Sequence, residues 1–154
     1  MKPVTESIDV PQPPDQVYDF LDVMAHHERF TDHFLTGWRR SGPDRGVGSS
    51  ATVTAALGGV TSDVTIEVVE ADPPRSIVER NVSAGGRRVA HGTYTVEPLP
   101  TGGSRVAFTY AWERAPLADR LLAPVVRATM RRADRTVMRR LAAELAAHTA
   151  TGRS

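Results

Sequence analysis

Two kinds of hydrophobic spacing divide the chain. Between residues 35 and 112, apolar and polar residues alternate with a period of two, which is typical of half-buried strands. Between residues 116 and 148, apolar residues recur every three or four positions, which is typical of an amphipathic helix. An apolar stripe of this length needs a sheet to cover it, so the change of period predicts a sheet followed by one long helix.

Seven strands are predicted, and six of them lie in the alternating region. The first strand is Val4–Val10, and Pro11 ends it. The others are separated by turns rich in glycine and proline and cover 35–41, 49–57, 60–70, 76–82, 88–97 and 104–112. Strands joined by such short turns pair antiparallel. Two short helices are predicted between the first and second strands, one after Pro14 and one over 24–30.

The long helix has one apolar face and one basic face. The apolar positions are Leu117, Leu121, Val125, Thr129, Met130, Ala133, Val137, Leu141 and Leu145. The opposite face carries seven arginines together with Asp119, Asp134 and Glu144, and it is interpreted as a solvated surface. Pro124 lacks a backbone N–H, so we expect it to kink the helix or to split off a first short piece.

These elements predict an α+β domain over residues 1–149, with residues 150–154 as a frayed tail. A curved antiparallel sheet of seven strands would grip the long C-terminal helix. One helix cannot fill the concave side of such a sheet. The residues predicted to face inward include several small ones, which favour an internal cavity; they are Ala51, Ala55, Ser62, Ala90 and Gly92.

Composition excludes some classes of protein. The 154 residues are 40% hydrophobic with a net charge of +1, which gives no electrostatic reason to expect nucleic-acid binding. Cysteine is absent, which excludes disulfides and thiol chemistry. No apolar run reaches the roughly 20 residues of a membrane span, and the N-terminus lacks a signal-peptide core. We therefore expect a cytoplasmic monomer or homodimer without integral membrane association.

Histidines are the first candidates for chemistry. Adjacent His26 and His27 fall on different sides of a helix and cannot both reach one metal ion, so no metal or other cofactor is predicted. His33 is the histidine expected to look into the cavity mouth. His91 points outward if Gly92 faces inward, although a bulge beside that glycine would reverse it.

Arg80 has two alternative orientations. If it shares the inner face with Val78 and Val82, it is a buried cation that requires a carboxylate or an anionic ligand. If Ile77 faces inward instead, Arg80 lies in solvent. Four carboxylates of the strands are expected to point outward by alternation; they are Asp63, Glu67, Glu79 and Glu97.

Tyrosines and other rings are expected on the cavity wall. Tyr94 and Tyr110 face inward by alternation, where each hydroxyl would either bond within the core or donate to a ligand. Together with Arg80, and more weakly His33, they are the candidate catalytic residues. The predicted lining is Phe30, Phe34, Trp38, Val53, Ile66, Tyr94, Phe108, Tyr110, Val125 and Met130.

Short motifs occur in a characteristic order over nearly the whole chain. They are SIDV at 7–10, PPDQVYDFLD at 13–22, GVG at 46–48, EADPPR at 70–75, GTYTVEP at 92–98 and GSRV at 103–106. In order and spacing they resemble the helix-grip superfamily of START and birch-pollen-allergen-like proteins (SRPBCC), and most closely its polyketide cyclase/dehydrase-like branch.

The resemblance implies the same fold and a hydrophobic small molecule as ligand, either a polyketide, an aromatic compound or a lipid. It leaves two functions open. One is a cofactor-independent cyclase or dehydratase, in which Arg80 would hold an enolate or carboxylate while the tyrosines shuttle protons. The other is a non-catalytic carrier or sensor, which needs no acid or base. With no carboxylate expected inside, the sequence favours a ligand cavity over a catalytic apparatus.

Overall fold

The computed structural model describes residues 1–152 and contains one antiparallel sheet of seven strands in the order β1-β7-β6-β5-β4-β3-β2. The strands are β1 Val4–Val10, β2 Leu35–Ser41, β3 Ser50–Leu57, β4 Val60–Asp72, β5 Ser76–Ser83, β6 Arg88–Pro98 and β7 Ser104–Arg114. The predicted sheet is confirmed. Alternation and turn residues placed every strand end within two residues of its observed position.

Within residues 1–152, four α-helices accompany the sheet: α1 Pro14–Asp22, α2 Met24–Thr31, α3 Leu117–Leu121 and α4 Ala123–Thr151. Pro124 occupies the first turn of α4, where its missing N–H is harmless, and it separates α3 from α4 as expected. Helix α4 continues through Ala150 and Thr151. The last two residues of the predicted tail, Arg153 and Ser154, lie outside the described residues.

The hydrophobic core occupies one end of the concave face. There the C-terminal half of α4 buries Val137, Met138, Leu141 and Leu145 against the sheet and the two short helices. Helix α1 contributes a buried face of its own, formed by Val17, Tyr18, Phe20 and Leu21. This end of the molecule is therefore solid, and it fixes α2 and α4 relative to the sheet.

The N-terminal half of the predicted apolar stripe is not buried. Leu117, Leu121 and Val125 are 70%, 74% and 62% exposed, whereas Leu141 and Leu145 are 0% and 2% exposed. The sheet curves around both halves of the stripe, but only the C-terminal half is in close contact with it. The space left at the other end is the cavity described below.

Gly92 allows an aromatic ring to lie close against β6. A Cβ atom at this position would lie 2.8 Å from Cζ of Phe108 on the neighbouring strand β7. Any larger residue would therefore displace the ring. Among residues 1–152, no helix is long and apolar enough to cross a membrane.

Candidate functional site

A cavity of about 520 Å³ lies between the concave face of the sheet, α2, α3 and the first half of α4. Small-molecule sites typically measure about 300 to 1,000 Å³. The wall is mainly apolar, and its larger apolar side chains are Phe34, Leu35, Trp38, Leu57, Val60, Val64, Ile66, Phe108, Trp112, Leu122, Val125, Val126, Met130 and Val137.

Most of the residues predicted to line the cavity do so. They are Phe34, Trp38, Ile66, Tyr94, Phe108, Tyr110, Val125 and Met130. The prediction is wrong for Phe30 and Val53, which are 0% and 1% exposed and belong to the solid core. Phe30 contacts the rings of Phe20 and His27, and of these three only His27 lines the cavity.

Helix α2 places a buried histidine against a buried glutamate. His27 Nε2 lies 2.7 Å from the carbonyl oxygen of Leu21, so this nitrogen carries the proton and donates it. Nδ1 is then the unprotonated nitrogen of the neutral ring, and it lies 3.3 Å from Oε1 of Glu79. Glu79 Oε1 has no hydrogen-bond partner within residues 1–152. Its oxygen therefore remains available to a ligand.

Burial makes both members of this pair neutral at neutral pH. It lowers the pKa of His27 to about 4, because the interior disfavours the imidazolium. It raises the pKa of Glu79 to about 8, because the interior disfavours the carboxylate. Near pH 7, Glu79 is thus mainly a carboxylic acid with a proton to donate.

A second buried carboxyl group comes from α4. Asp134 is 1% exposed and lines the cavity, and Oδ2 has no partner in the part of the chain that the structure describes. Burial, with a smaller contribution from the Glu6 carboxylate, raises the pKa of Asp134 to about 7. The assignment of Asp134 to a solvated basic face is wrong. Its spacing from Met130 and Val137 is that of the apolar stripe, which was the available signal.

Tyr94 lies close to both carboxyl groups. Burial raises the pKa of its hydroxyl well above 10, and the charges of Glu79 and Asp134 add to this rise. Its ring makes an edge contact with His27 at 5.5 Å and a tilted contact with Phe108 at 4.7 Å. Tyr94 therefore stays protonated and is held by its neighbours as a hydrogen-bond donor.

Five buried polar atoms of the cavity wall have no protein partner among the described residues. They are Trp38 Nε1, Glu79 Oε1, Asn81 Oδ1, Trp112 Nε1 and Asp134 Oδ2. An unsatisfied buried polar group costs about 1–3 kcal/mol, so such groups rarely occur together without a reason. A molecule with several oxygens in this cavity would satisfy them.

Strand β5 presents polar residues to the cavity and valines to the outside. Glu79, Asn81 and Ser83 are buried on the inner face, whereas Arg80 is exposed on the outer face. The inward alternative for Arg80 and the outward expectation for Glu79 are therefore both wrong. The parity was misread because Val78 and Val82 were expected inside, while this part of the inner face lines a cavity.

The other candidates lie away from the cavity, with one exception. His33 is not part of the lining, and its Nε2 lies 3.1 Å from the carbonyl oxygen of Ala133. His91 points outward as expected, with Nδ1 3.7 Å from Oε2 of Glu113. Tyr110 does line the cavity, and burial raises its pKa to about 12. Within residues 1–152, no group of three or more histidine, aspartate or glutamate side chains is arranged to hold a metal ion.

The sequence matches the model of the family described as polyketide cyclase / dehydrase and lipid transport over residues 1–146, and the chain belongs to this family. The resemblance stated from the motifs is thereby confirmed. None of the curated protein sequences matches the chain.

Solved structures share the helix-grip fold at low sequence identity. TTHA0849 from Thermus thermophilus is 20% identical, with 96% of this chain and 99% of that chain covered and a TM-score of 0.77. The Zhui aromatase/cyclase from Streptomyces sp. R1128 is 17% identical, with 94% and 93% covered and a TM-score of 0.72. Ara h 8.0201 is 16% identical, with 95% and 98% covered and a TM-score of 0.63.

Proposed function

We propose that this protein binds an uncharged, oxygenated hydrophobic molecule and catalyses proton transfer on it, as a polyketide cyclase or dehydratase does. The observation that supports this proposal is the pair of buried carboxyl groups, Glu79 and Asp134, next to Tyr94 in an otherwise apolar cavity. The family's description and the Streptomyces aromatase/cyclase of the same fold agree with it.

A carrier would not need these two acids. Burying a carboxyl group without a partner destabilises a protein, and one or two neutral anchors suffice to orient a ligand. General acid–base catalysis does need such groups, because a pKa near the working pH allows a residue both to take and to give a proton. Glu79 with a pKa of about 8 and Asp134 with a pKa of about 7 lie in that range.

An aldol cyclisation followed by dehydration gives each acid a role. Asp134, ionised, takes a proton from the carbon beside one ketone, and this carbon forms a bond to a second carbonyl. The carbonyl π bond breaks, and its oxygen takes the proton of Glu79. In the dehydration, Glu79 removes a second carbon-bound proton while Asp134 protonates the departing hydroxyl. One water leaves, and both acids regain their starting states.

The remaining polar groups would bind the substrate. Tyr94 would donate a hydrogen bond to the enolate oxygen, and the indole N–H groups of Trp38 and Trp112 would donate to carbonyl oxygens. Arg88 is the cation of the cavity lining, and it is neutralised by Asp119 at 2.7 Å. An uncharged substrate therefore fits the wall better than an anion.

Turnover of a synthetic poly-β-keto thioester tests the proposal, with loss of one water detected by mass spectrometry. Glu79→Gln and Asp134→Asn should each lower the rate by about 10²- to 10⁴-fold while the substrate still binds. Glu67→Gln, which changes an exposed carboxylate on β4, is the control. Equal rates in all four proteins would show that the assigned acids are wrong.

Transport is the second candidate, because the family's description includes lipid transport and the cavity wall is largely apolar. Native mass spectrometry of the protein from its own host would identify a retained lipid or aromatic metabolite. Release of that ligand unchanged after prolonged incubation would favour the carrier. A mass change that requires Glu79 and Asp134 would favour the enzyme.

A further inference from the structure

Exposed apolar side chains are concentrated at the mouth of the cavity. Among residues 1–152, six large apolar side chains are more than half exposed. Three of them line the cavity, and two more lie on α3, whose Ala118 and Asp119 line it. We call these five the mouth rim: Val60, Leu117, Leu121, Leu122 and Val125. Exposed apolar residues scattered singly are normal, whereas a contiguous group marks an interaction surface.

The mouth rim is built on a protruding element. Helix α3 has only five residues and buries none of them. Leu117 and Leu121, one turn apart, lie on the same side of it. The guanidinium of Arg88 on β6 holds α3 in place through Asp119 at 2.7 Å. The two leucines are therefore presented outward by a fixed support.

The charge around the mouth rim is positive. Arg120 lies on α3, Arg127 binds the main-chain carbonyls of Lys2 and Pro3, and Arg114 ends β7 beside the turn at Gly86. Within the described part of the chain, none of these arginines has a carboxylate within 4.0 Å.

Two carboxyl groups next to these elements have other neighbours. Asp119 is paired with Arg88, and Glu113 lies 3.7 Å from His91 on the outer face of the sheet. The mouth rim is thus an apolar projection next to three arginines that have no carboxylate within 4.0 Å among the described residues. The whole chain has a net charge of only +1, so this positive charge is a local feature.

We propose that the mouth rim docks on an anionic lipid surface. Leu117 and Leu121 would enter the acyl-chain region, while Arg114, Arg120 and Arg127 would lie at the level of the phosphates. The cavity would then open directly onto the membrane, and a hydrophobic molecule would enter without crossing water. The inference uses the cavity as a binding site and does not depend on catalysis by Glu79 or Asp134.

Other occupants fit the same surface less well. A symmetric contact between two copies would place the same arginines opposite one another. A protein partner would need a groove shaped to the projecting leucines, whereas a fluid bilayer accommodates them without one. The combination of projecting leucines and neighbouring arginines is typical of interfacial elements that lie on membranes.

Flotation with lipid vesicles tests the proposal on ligand-free protein. Binding is expected to vesicles that mix phosphatidylglycerol with phosphatidylcholine, with little binding to phosphatidylcholine alone. Leu117→Ser combined with Leu121→Ser should weaken binding roughly tenfold or more. Arg120→Glu should weaken it too, and added salt should reduce it.

Val47→Ser is the matched control. Val47 is the sixth exposed apolar residue and lies between β2 and β3, outside both α3 and the cavity lining, so its substitution should leave vesicle binding unchanged. All the substituted side chains are exposed, and the thermal unfolding of these variants should match that of the unaltered protein.

Three results would overturn the proposal. The first is no binding to the anionic vesicles. The second is binding that the double leucine variant and Val47→Ser affect equally. The third is a homodimer in sedimentation that the double leucine variant abolishes, because the mouth rim would then be covered by a second copy. Since none of these assays includes a substrate, each result leaves the proposed chemistry untouched.

Discussion

The two ends of the concave face differ although one helix spans both. At the solid end, Leu141 and Leu145 of α4 are buried against the sheet. At the open end, Leu117, Leu121 and Val125 continue the same periodic stripe and remain mostly exposed around a cavity. Periodicity therefore identifies the side of a helix that faces the sheet, but it does not indicate whether anything fills the space between them.

The largest expected difference between the two ends concerns leucine side chains. Leu141→Ala should lower the free energy of unfolding by about 2–5 kcal/mol, since it leaves a hole in a packed core. Leu121→Ala should change it by less than about 0.5 kcal/mol, because that side chain is exposed. Urea denaturation of both variants measures the contrast. Similar losses would mean that the open end is packed as well.

The second largest expected effect is on the pH dependence of stability, and it comes from Glu79 in the cavity wall at the open end. Burial raises the pKa of Glu79 from 4.5 to about 8, so the unfolded chain loses this proton at lower pH than the native protein does. This group's contribution is complete below pH 4.5 and is lost as the pH rises through about 8. Glu79→Gln should remove about 2 kcal/mol of the fall in stability between about pH 6.5 and 8.

Two other groups set the limits of this measurement. His27, with its pKa lowered to about 4, reduces stability only on the acid side, as the pH falls below 6.5. Asp134, with a pKa of about 7, also lowers stability as the pH rises, and it does so equally in the unaltered protein and in Glu79→Gln. Glu67→Gln at an exposed site should behave like the unaltered protein. If urea denaturation shows the same loss of stability between about pH 6.5 and 8 for the unaltered protein and for Glu79→Gln, the assignment of Glu79 is contradicted.

Two alanines on the inner face of β3 allow a smaller, matched comparison. Ala51 belongs to the solid core, and Ala55, four residues later, lines the cavity. Ala51→Leu should destabilise the protein by about 1–3 kcal/mol through overpacking. Ala55→Leu should change stability by less than about 1 kcal/mol but should reduce binding of a fluorescent apolar probe. The reverse order of stabilities would place the cavity elsewhere.

The smallest expected effect is that of Arg80. Its side chain is exposed on the outer face of β5, away from the cavity. Arg80→Ala should change stability by less than about 0.5 kcal/mol and should leave probe binding as it is. A large loss of binding would restore Arg80 as a site residue and would contradict the observed orientation of β5.

The fold was predictable because local signals agreed with the tertiary arrangement. Alternation defined the strands, and glycine and proline marked the turns between them. Pro124 alone was enough to indicate the break between α3 and α4. These signals depend on sequence neighbours, and packing reinforced each of them.

The site was less predictable because a cavity wall does not follow the rule that apolar residues face inward. On β5, Ile77 faces inward together with Glu79, while Val78 and Val82 face outward, so hydrophobicity could not choose the parity. Asp134 lies on the apolar stripe of α4, and only the assumption that a carboxylate must be solvated moved it to the surface. Five of the six aromatic residues predicted to line the cavity do so, and the sixth, Phe30, is in the core, because burial and cavity lining favour the same side chains.

The pairing of the first and last strands has a consequence for protein synthesis. Strands β1 and β7 lie side by side, and the hydroxyls of Thr5 and Thr109 meet across them although 104 residues separate them in the chain. Strand β1 therefore emerges from the ribosome long before its partner exists, at roughly 5–20 residues per second. Since α4 follows all seven strands in the chain, the hydrophobic inner face of the sheet stays uncovered until that helix has been synthesised.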